Sequence, residues 1–185
     1  MHDSPDKDLA RILFDRHQVA ARVRELGRRI AGDLRSEGLT VVPIMSGAMI
    51  FAADLIRELP LRMTIDLLSI GSYSGASTVG GDLRLRAPLS ASIEGRHVLV
   101  VDDIFDTGRT LKWVCDHLAG RGPAGLKTCV LLRKPARREV DLQPDYVGFD
   151  VPDEFVVGYG LDFDGHYRNL PDIGVLRPEL YRKGH

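Results

Sequence analysis

Residues 98 to 110 have the sequence Val98-Leu99-Val100-Val101-Asp102-Asp103-Ile104-Phe105-Asp106-Thr107-Gly108-Arg109-Thr110. Four apolar residues, a pair of acids and a glycine-containing turn, in this order, predict a buried strand, a loop and the start of a helix. The helix is supported by an apolar stripe at positions i, i+3, i+4 and i+7, formed by Leu111, Val114, Cys115 and Leu118. The acidic loop therefore lies between a strand and a helix, where α/β proteins commonly bind ligands.

The start of this helix is suited to binding a phosphate. Unpaired backbone N–H groups and the positive end of the helix dipole favour an anion there. Thr107 and Thr110 add hydroxyl donors, and Gly108 lets the backbone approach a ligand closely. We therefore expect residues 107 to 110 to bind a phosphate group.

The three carboxylates of this loop need a different partner, because they would repel a phosphate. Sugar hydroxyls can donate hydrogen bonds to Asp102, Asp103 and Asp106, and a hard divalent cation can screen the remaining charge. A phosphorylated ribose with Mg²⁺ satisfies both halves of the loop. The alternative is a solvated acidic turn that follows a buried strand.

Composition indicates one compact domain with a sizeable core. The chain has 185 residues, of which 44% are hydrophobic and 28% are charged. A net charge of −1 argues against general electrostatic binding to nucleic acid or to an anionic membrane. The polar residues 1 to 8 lack the apolar core of a signal peptide, and Cys115 and Cys129 fit reduced core residues. We therefore expect a cytoplasmic protein.

Apolar spacing along the chain predicts alternating strands and helices, and hence a mostly parallel sheet flanked by helices. Helices are predicted from Val19 to Glu37, ended by Gly38, and around Phe51, and further strands are predicted at Thr40 to Met45, Leu61 to Ile70 and Leu126 to Leu132. From Pro135 onward, short apolar pieces are broken by proline and glycine. We expect a core at about residues 10–134 and a small hood at about residues 135–185.

Residues 98–110 resemble the phosphoribosyl pyrophosphate (PRPP) signature of the type I phosphoribosyltransferases. Asp106 followed by Thr-Gly-Arg-Thr is similar to the hypoxanthine-guanine branch, and the spacing of a Walker A loop is missing. Lys134-Pro135, the stretch Glu154-Phe155-Val156-Val157-Gly158-Tyr159-Gly160-Leu161-Asp162 and Tyr167-Arg168 resemble the hood of the same family. The resemblance runs from about residue 40 to 176. It implies the type I phosphoribosyltransferase fold and a homodimer or homotetramer.

The resemblance implies a purine site made of Ile104, Lys134, Phe155, Val156 and Asp162. A planar base can stack on Phe155, and the main chain around Val156 would read the pyrimidine edge of the base. Lys134 can donate to a 6-oxo group but would face the amino donor of adenine, so a 6-oxopurine is expected. Taken singly, Phe155 could be a core residue and Lys134 a surface lysine.

The PRPP site implied by the resemblance comprises Asp102, Asp103, Asp106, Thr107, Gly108, Arg109 and Thr110. Asp106 matches the catalytic acid–base position, which accepts the proton from purine N7 as N9 attacks ribose C1. In the family, one Mg²⁺ lies near the acids at 102 and 103, and a second is held by the acid at 162. For Asp162, a structural salt bridge is the alternative.

Three further features come from the resemblance. Ser46, Gly47 and Arg168 match pyrophosphate contacts, and the family often has a cis peptide at the position of Met45–Ser46. Ser72 and Tyr73 match a mobile lid within the Gly/Ser-rich residues 71–81. Many relatives have Lys or Arg in place of Ser46. Several bacterial relatives have an acid in place of Arg133, which we expect to alter the rim of the pocket.

The expected reaction belongs to purine salvage: PRPP and hypoxanthine or guanine give IMP or GMP and pyrophosphate, with Mg²⁺ as cofactor. A preference for xanthine remains open, because backbone groups read purine C2. An RNA-binding regulator of the same fold would be expected to lack the carboxylate at 106 and to have a more basic face. A signalling receiver domain would have its acidic pair near the N-terminus.

Overall fold

The computed structural model describes residues 5–34, 38–72 and 83–181, which form two β-sheets and flanking helices. The strands are β1 (Leu9–Phe14), β2 (Leu39–Met45), β3 (Met63–Ile65), β4 (Leu68–Ser72), β5 (Leu83–Ala87), β6 (His97–Phe105), β7 (Gly125–Arg133), β8 (Tyr146–Asp150), β9 (Val156–Val157) and β10 (Ile173–Leu176). The α-helices are α1 (Arg16–Asp33), α2 (Met49–Arg57), α3 (Arg109–Ala119) and α4 (Pro178–Tyr181), and 3₁₀ turns lie at Pro5–Asp8 and Pro135–Arg137.

The central sheet has the strand order β5-β4-β2-β6-β7-β8, and β3 also pairs with β2. Pairing is parallel throughout, except between β4 and β5. This confirms the predicted mostly parallel α/β fold. Since β2 and β7 flank β6, the carboxyl end of β6 lies in the middle of one edge of the sheet.

Strand β6 is buried because helices cover both faces of the sheet. Leu99 and Val101 pack in one apolar cluster with residues of α1 and α2. Val98 and Val100 point to the opposite face and pack with residues of α3. This two-sided burial explains why residues 98–101 are a continuous apolar run and not an alternating one.

Helix α1 begins at Arg16, three residues before the expected start at Val19, and it also ends earlier than expected. Asp15 Oδ1 accepts hydrogen bonds from the amides of His17 and Gln18, and the Gln18 side chain accepts one from the Asp15 amide, which forms a capping box. The helix ends at Asp33, so its expected extension to Glu37 with Gly38 as terminator is wrong. Leu34 is the last residue of the apolar stripe, and the polar residues 35–37 offer the core nothing to bury; they lie outside the described residues.

The strand expected from Leu61 to Ile70 is also wrong, because β3 and β4 are separate and both pair with β2. The interruption falls at Asp66. Its carboxylate accepts hydrogen bonds from the Ser90 amide and hydroxyl and from the Ala91 amide. These bonds tie the chain at Asp66 to the loop before β6. Strand β5, with its alternating Leu and Arg side chains, was not predicted.

A smaller antiparallel sheet, with the order β1-β10-β9, forms the hood. Its strand β1 comes from the N-terminal end of the chain, whereas β8 extends the central sheet. Each of the two sheets therefore contains strands from before and from after residue 135, where the boundary between core and hood was expected. Among the described residues, no helix combines the length and apolar character needed to cross a membrane.

Replacement of Leu131 by alanine is expected to destabilise the fold by about 2–5 kcal/mol, because the side chain is fully buried in β7 and its loss leaves a cavity. Urea unfolding followed by circular dichroism measures this change. Leu67→Ala is the matched control, since Leu67 is 50% exposed. Equal losses of stability in the two variants would contradict the assigned core.

Candidate functional site

Asp102 and Asp103 lie within the last residues of β6, not in the loop where the sequence placed them. The Asp102 side chain is buried, and the Asp103 amide donates to its Oδ1 at 3.1 Å. Burial, followed by the charge of Asp103, raises the pKa of Asp102 well above its ordinary value. Burial also raises the pKa of Asp103, against the opposing effect of the nearby Arg168 charge. Two adjacent carboxyl groups, one buried and one half-buried, therefore meet at the site.

The turn after β2 lies directly against this pair. The Met45–Ser46 peptide is cis, as the resemblance implies. A Cβ atom on Gly47 would stand 1.8 Å from Asp103 Oδ2, and one on Gly160 would stand 2.4 Å from the Gly47 oxygen. Only glycine fits at both positions. Ser46 beside them is exposed.

The predicted phosphate loop follows β6 and leads into α3. Gly108 has φ +84° and precedes the first turn of the helix without a side-chain cap of its own. The Arg109 amide donates only a long hydrogen bond, of 3.4 Å, to Thr107 Oγ1, and the first turn of a helix leaves backbone amides without intrahelical partners. A Cβ at Gly108 would lie 2.5 Å from both Phe105 and Val140. Close packing behind the loop therefore requires glycine, in addition to the ligand approach inferred from the sequence.

A cavity of about 350 Å³ opens above this loop. Its lining includes the predicted PRPP residues Asp102, Asp103, Asp106, Thr107, Gly108 and Thr110, together with Gly47. Ile70 of β4 and Leu83 of β5 close one side. Of the predicted lid pair, Ser72 is the last residue of β4, and Tyr73 lies outside the described residues.

Two predicted features have partners away from the cavity. The Arg109 guanidinium forms an ion pair with Glu139 at 2.7 Å, so only its main chain belongs to the loop in this structure. Arg133 forms a two-pronged ion pair with Asp150 on the neighbouring strand, at 2.6 and 2.9 Å. The expectation that Arg133 alters the pocket rim therefore has no support in these contacts.

A second cavity, of about 390 Å³, shares Asp103, Ile104 and Asp106 with the first. Its lining comprises Asp103, Ile104, Asp106, Lys134, Arg137, Phe155, Val156, Leu161 and Asp162. All five predicted purine residues are among them. Lys134 is only 6% exposed, which is not compatible with a surface lysine. The Phe155 ring lines this cavity and is supported by Tyr181 in a stacked contact and by Phe163 edge-on.

Asp106 stands between the two cavities, beside two cations. Lys134 Nζ lies 3.4 Å from its Oδ2, and Arg137 Nε lies 2.8 Å from its Oδ1. Arg137 also reaches Asp153 at 3.3 Å. Sequence reasoning missed Arg137 and Asp153. The available signal was the spacing of Lys134 and Arg137, because residues three apart in a 3₁₀ turn point to the same side.

Asp162 and Arg168 are bound to each other in this structure. Arg168 Nη2 lies 2.6 Å from Asp162 Oδ1, Arg168 Nη1 donates to the Gly160 oxygen at 2.6 Å, and the Gly165 amide donates to Asp162 Oδ2. These contacts match the alternative to metal binding by Asp162, which was a structural salt bridge. Within the described ranges, no group of three or more potential metal ligands lies together. The oxygen pair of Asp102 and Asp103 nevertheless fits a hard cation such as Mg²⁺.

Comparisons with known proteins give the family of the chain. A family model described as "Phosphoribosyl transferase domain" matches residues 10–164. The hypoxanthine-guanine phosphoribosyltransferase of Streptococcus thermophilus is 38% identical over 178 residues, which covers 96% of this chain and 99% of that protein. A crystal structure of a hypoxanthine phosphoribosyltransferase from Staphylococcus aureus superimposes with a TM-score of 0.92 at 38% identity, covering 98% of this chain and 99% of that one.

A longer relative contains the same unit as one part. The bifunctional protein TilS/HprT of Listeria monocytogenes is 40% identical over 180 residues, which is 97% of this chain. The chain spans 28% of the length of that relative.

Replacement of Asp102 by asparagine is expected to stabilise the ligand-free protein at neutral pH in the presence of a chelator. The folded state holds the Asp102 proton to a higher pH than the unfolded chain does, because the pKa of Asp102 is raised on folding. The free energy of unfolding of the wild type therefore decreases as the pH rises above the ordinary carboxyl pKa. Asparagine does not titrate, so this decrease should be absent from the variant. Urea unfolding between pH 4 and pH 8 measures the difference.

Asp145→Asn is the control of opposite sign. Burial tends to raise the pKa of Asp145, but hydrogen bonds from Lys127 and Thr128 outweigh this effect and hold the pKa below its ordinary value. Asp145 therefore stabilises the fold at pH values above the ordinary carboxyl pKa. The Asp145→Asn variant is expected to be less stable than the wild type at pH 7. If Asp102→Asn were less stable than the wild type at pH 7, the inference that folding raises the pKa of Asp102 would be contradicted.

Proposed function

This chain belongs to the hypoxanthine-guanine phosphoribosyltransferase family, and on that premise we propose that it transfers the 5-phosphoribosyl group of PRPP to N9 of hypoxanthine or guanine. The products are IMP or GMP and pyrophosphate, which makes the reaction a step of purine salvage. The observation that supports this proposal most strongly is that the two cavities meet at Asp103, Ile104 and Asp106. A sugar in the first cavity and a base in the second then face each other across the position of Asp106.

The first cavity fits the phosphoribosyl group. Backbone amides at the start of α3, with Thr107 and Thr110, suit the 5′-phosphate. Asp102 and Asp103 accept hydrogen bonds from the ribose hydroxyls. Gly47 and the neighbouring Ser46 offer main-chain contacts to pyrophosphate, and Arg168 suits the same anion once it leaves Asp162.

The second cavity fits a 6-oxopurine. The Phe155 ring, held by Tyr181 and Phe163, provides a flat surface for stacking. The Lys134 ammonium lies at the same cavity and donates to the 6-oxo group of the base. Adenine would place an amino donor against this buried cation and leave it unpaired, which disfavours adenine.

Bond making and bond breaking follow from these positions. Purine N9 attacks ribose C1, the bond from C1 to pyrophosphate breaks with inversion, and Asp106 accepts the proton that leaves N7. The Asp106 carboxylate lies at the junction of the two cavities, where it can take this proton. Asp102 and Asp103 are the residues that would hold Mg²⁺, which when bound supplies positive charge to the pyrophosphate leaving group. A second Mg²⁺ at Asp162 stays a prediction.

Three broader properties also stay predictions. We expect a homodimer or homotetramer, which sedimentation velocity measures directly. A cytoplasmic location is supported by the two free cysteines, Cys115 and Cys129. No role in nucleic-acid or membrane binding is expected at a net charge of −1.

A panel of bases tests the proposed function. Purified protein is incubated with PRPP and Mg²⁺ and with hypoxanthine, guanine, xanthine or adenine, and nucleotide formation is measured by chromatography. Hypoxanthine and guanine should react and adenine should not. A clear preference for xanthine would replace the substrate assignment, and no nucleotide with any base would overturn the proposed function.

Replacement of Asp106 by asparagine is expected to lower turnover by roughly 10²- to 10⁴-fold, because the variant lacks the group that accepts the N7 proton. PRPP binding should be largely retained, since the phosphate loop is unchanged. Steady-state kinetics and calorimetric titration with PRPP measure the two effects. Asp116→Asn on α3 is the control, because this exposed acid pairs with Lys112 outside both cavities. Near-normal turnover of Asp106→Asn would remove Asp106 from the mechanism.

A further inference from the structure

Four charged side chains form a compact group beside the second cavity: Asp106, Lys134, Arg137 and Asp153. Asp106, Lys134 and Arg137 line that cavity, and Asp106 also lines the first. The 3₁₀ turn Pro135–Arg137 follows Lys134, and the Arg137 amide donates to the Lys134 oxygen at 3.2 Å. This turn carries both cations to one carboxylate. The Lys134 amide in turn donates to the Phe105 oxygen at 2.9 Å, which fixes the turn next to Asp106.

The two cations contact different oxygens of Asp106. Lys134 Nζ faces Oδ2 at 3.4 Å, whereas Arg137 Nε faces Oδ1 at 2.8 Å. Oδ1 is buried, and within the described part of the chain no donor meets it with hydrogen-bond geometry. The Arg137 guanidinium is therefore the close charged neighbour of Asp106 Oδ1, an atom that is not exposed to solvent. This oxygen is held by electrostatic attraction alone.

Arginine suits this place because its planar head can serve two carboxylates at once. While Nε faces Asp106, Nη1 lies 3.3 Å from Asp153 Oδ1. Asp153 thus binds a second nitrogen of the same guanidinium. Lys134 is the weaker partner of Asp153, at 3.9 Å.

We propose that Arg137 is a positioning residue that holds the Asp106 carboxylate in place for the proton transfer from purine N7. This inference rests on the proposed function. When a 6-oxopurine binds, the Lys134 ammonium turns to the oxygen at C6 and leaves Asp106. Arg137 then remains as the counter-charge that keeps the carboxylate aimed at the base. Arg137 acts through Asp106 and does not itself take part in bond making.

The contribution of Arg137 to stability is expected to be small, which separates its kinetic role from folding. Its side chain is 45% exposed and that of Asp153 is 55% exposed, and such ion pairs contribute little to the free energy of unfolding. A change in turnover can therefore be measured in a folded variant, whose thermal unfolding confirms that it is intact.

The test compares Arg137→Gln with wild-type protein and with Arg138→Gln, in which the neighbouring exposed arginine is changed in the same way. We expect Arg137→Gln to lower kcat about 10- to 100-fold, a part of the 10²–10⁴-fold effect of a positioned proton acceptor. The KM for PRPP should stay near the wild-type value. Arg137→Lys, which keeps the charge but not the planar head, should recover part of the loss, and Arg138→Gln should behave as wild type.

A double variant shows whether Arg137 acts through Asp106. In the Asp106→Asn background, Arg137→Gln should cause no further loss of kcat, because the group that it positions is already gone. Full additivity of the two losses would overturn the inference. An unchanged kcat in Arg137→Gln alone would overturn it as well.

Crystal structures of ligand-free wild type and Arg137→Gln provide a readout that does not depend on activity. In the variant, the Asp106 carboxylate should rotate or become disordered, and an unchanged carboxylate would contradict the inference. If wild-type protein forms neither IMP nor GMP, the proposed function fails. The position of Asp106 in these crystals still decides whether Arg137 holds it.

Discussion

Two adjacent carboxyl groups at the end of the central strand, one buried and one half-buried, are the constraint on which the rest of the site depends. Burial raises the pKa values of Asp102 and Asp103, which means that their charged forms are costly in the free protein. Such a pair lowers stability unless a partner offsets its charge. In the proposed function, a ligand rich in hydroxyl groups, together with a hard cation, supplies that partner. The acids are therefore better explained by binding than by folding.

The parallel sheet gathers the remaining groups around this pair, because the ends of neighbouring parallel strands lie at the same edge. Strand β2 leads to Gly47, which touches Asp103, and β6 leads to Asp106 and the phosphate loop. Strand β7 leads to Lys134 and the turn that carries Arg137. The hood then adds Phe155 and Asp162 from above. In the proposed function, this sheet edge is the sugar site and its junction with the hood is the base site.

Local patterns in the sequence were sufficient for the parts of the site that adjoin each other along the chain. The apolar run of β6 and the stripe of α3 both follow from short-range spacing. Contacts between distant residues could not be read in this way. Lys134 meets Asp106 across 28 residues, and Arg11 of β1 meets Glu154 across 143. The break at Asp66 and the pairing of Arg109 with Glu139 depend on side chains that fold in from other segments. The purine residues were predicted through a family resemblance, because no local pattern distinguishes Phe155 from a core residue.

A crystal structure of the protein with bound GMP tests the central claim most directly. The account predicts the 5′-phosphate on the backbone amides of residues 107–110, the ribose hydroxyls within hydrogen-bond distance of Asp102 or Asp103, and the guanine ring stacked on Phe155. GMP bound elsewhere, with the acidic pair facing only solvent, would contradict it.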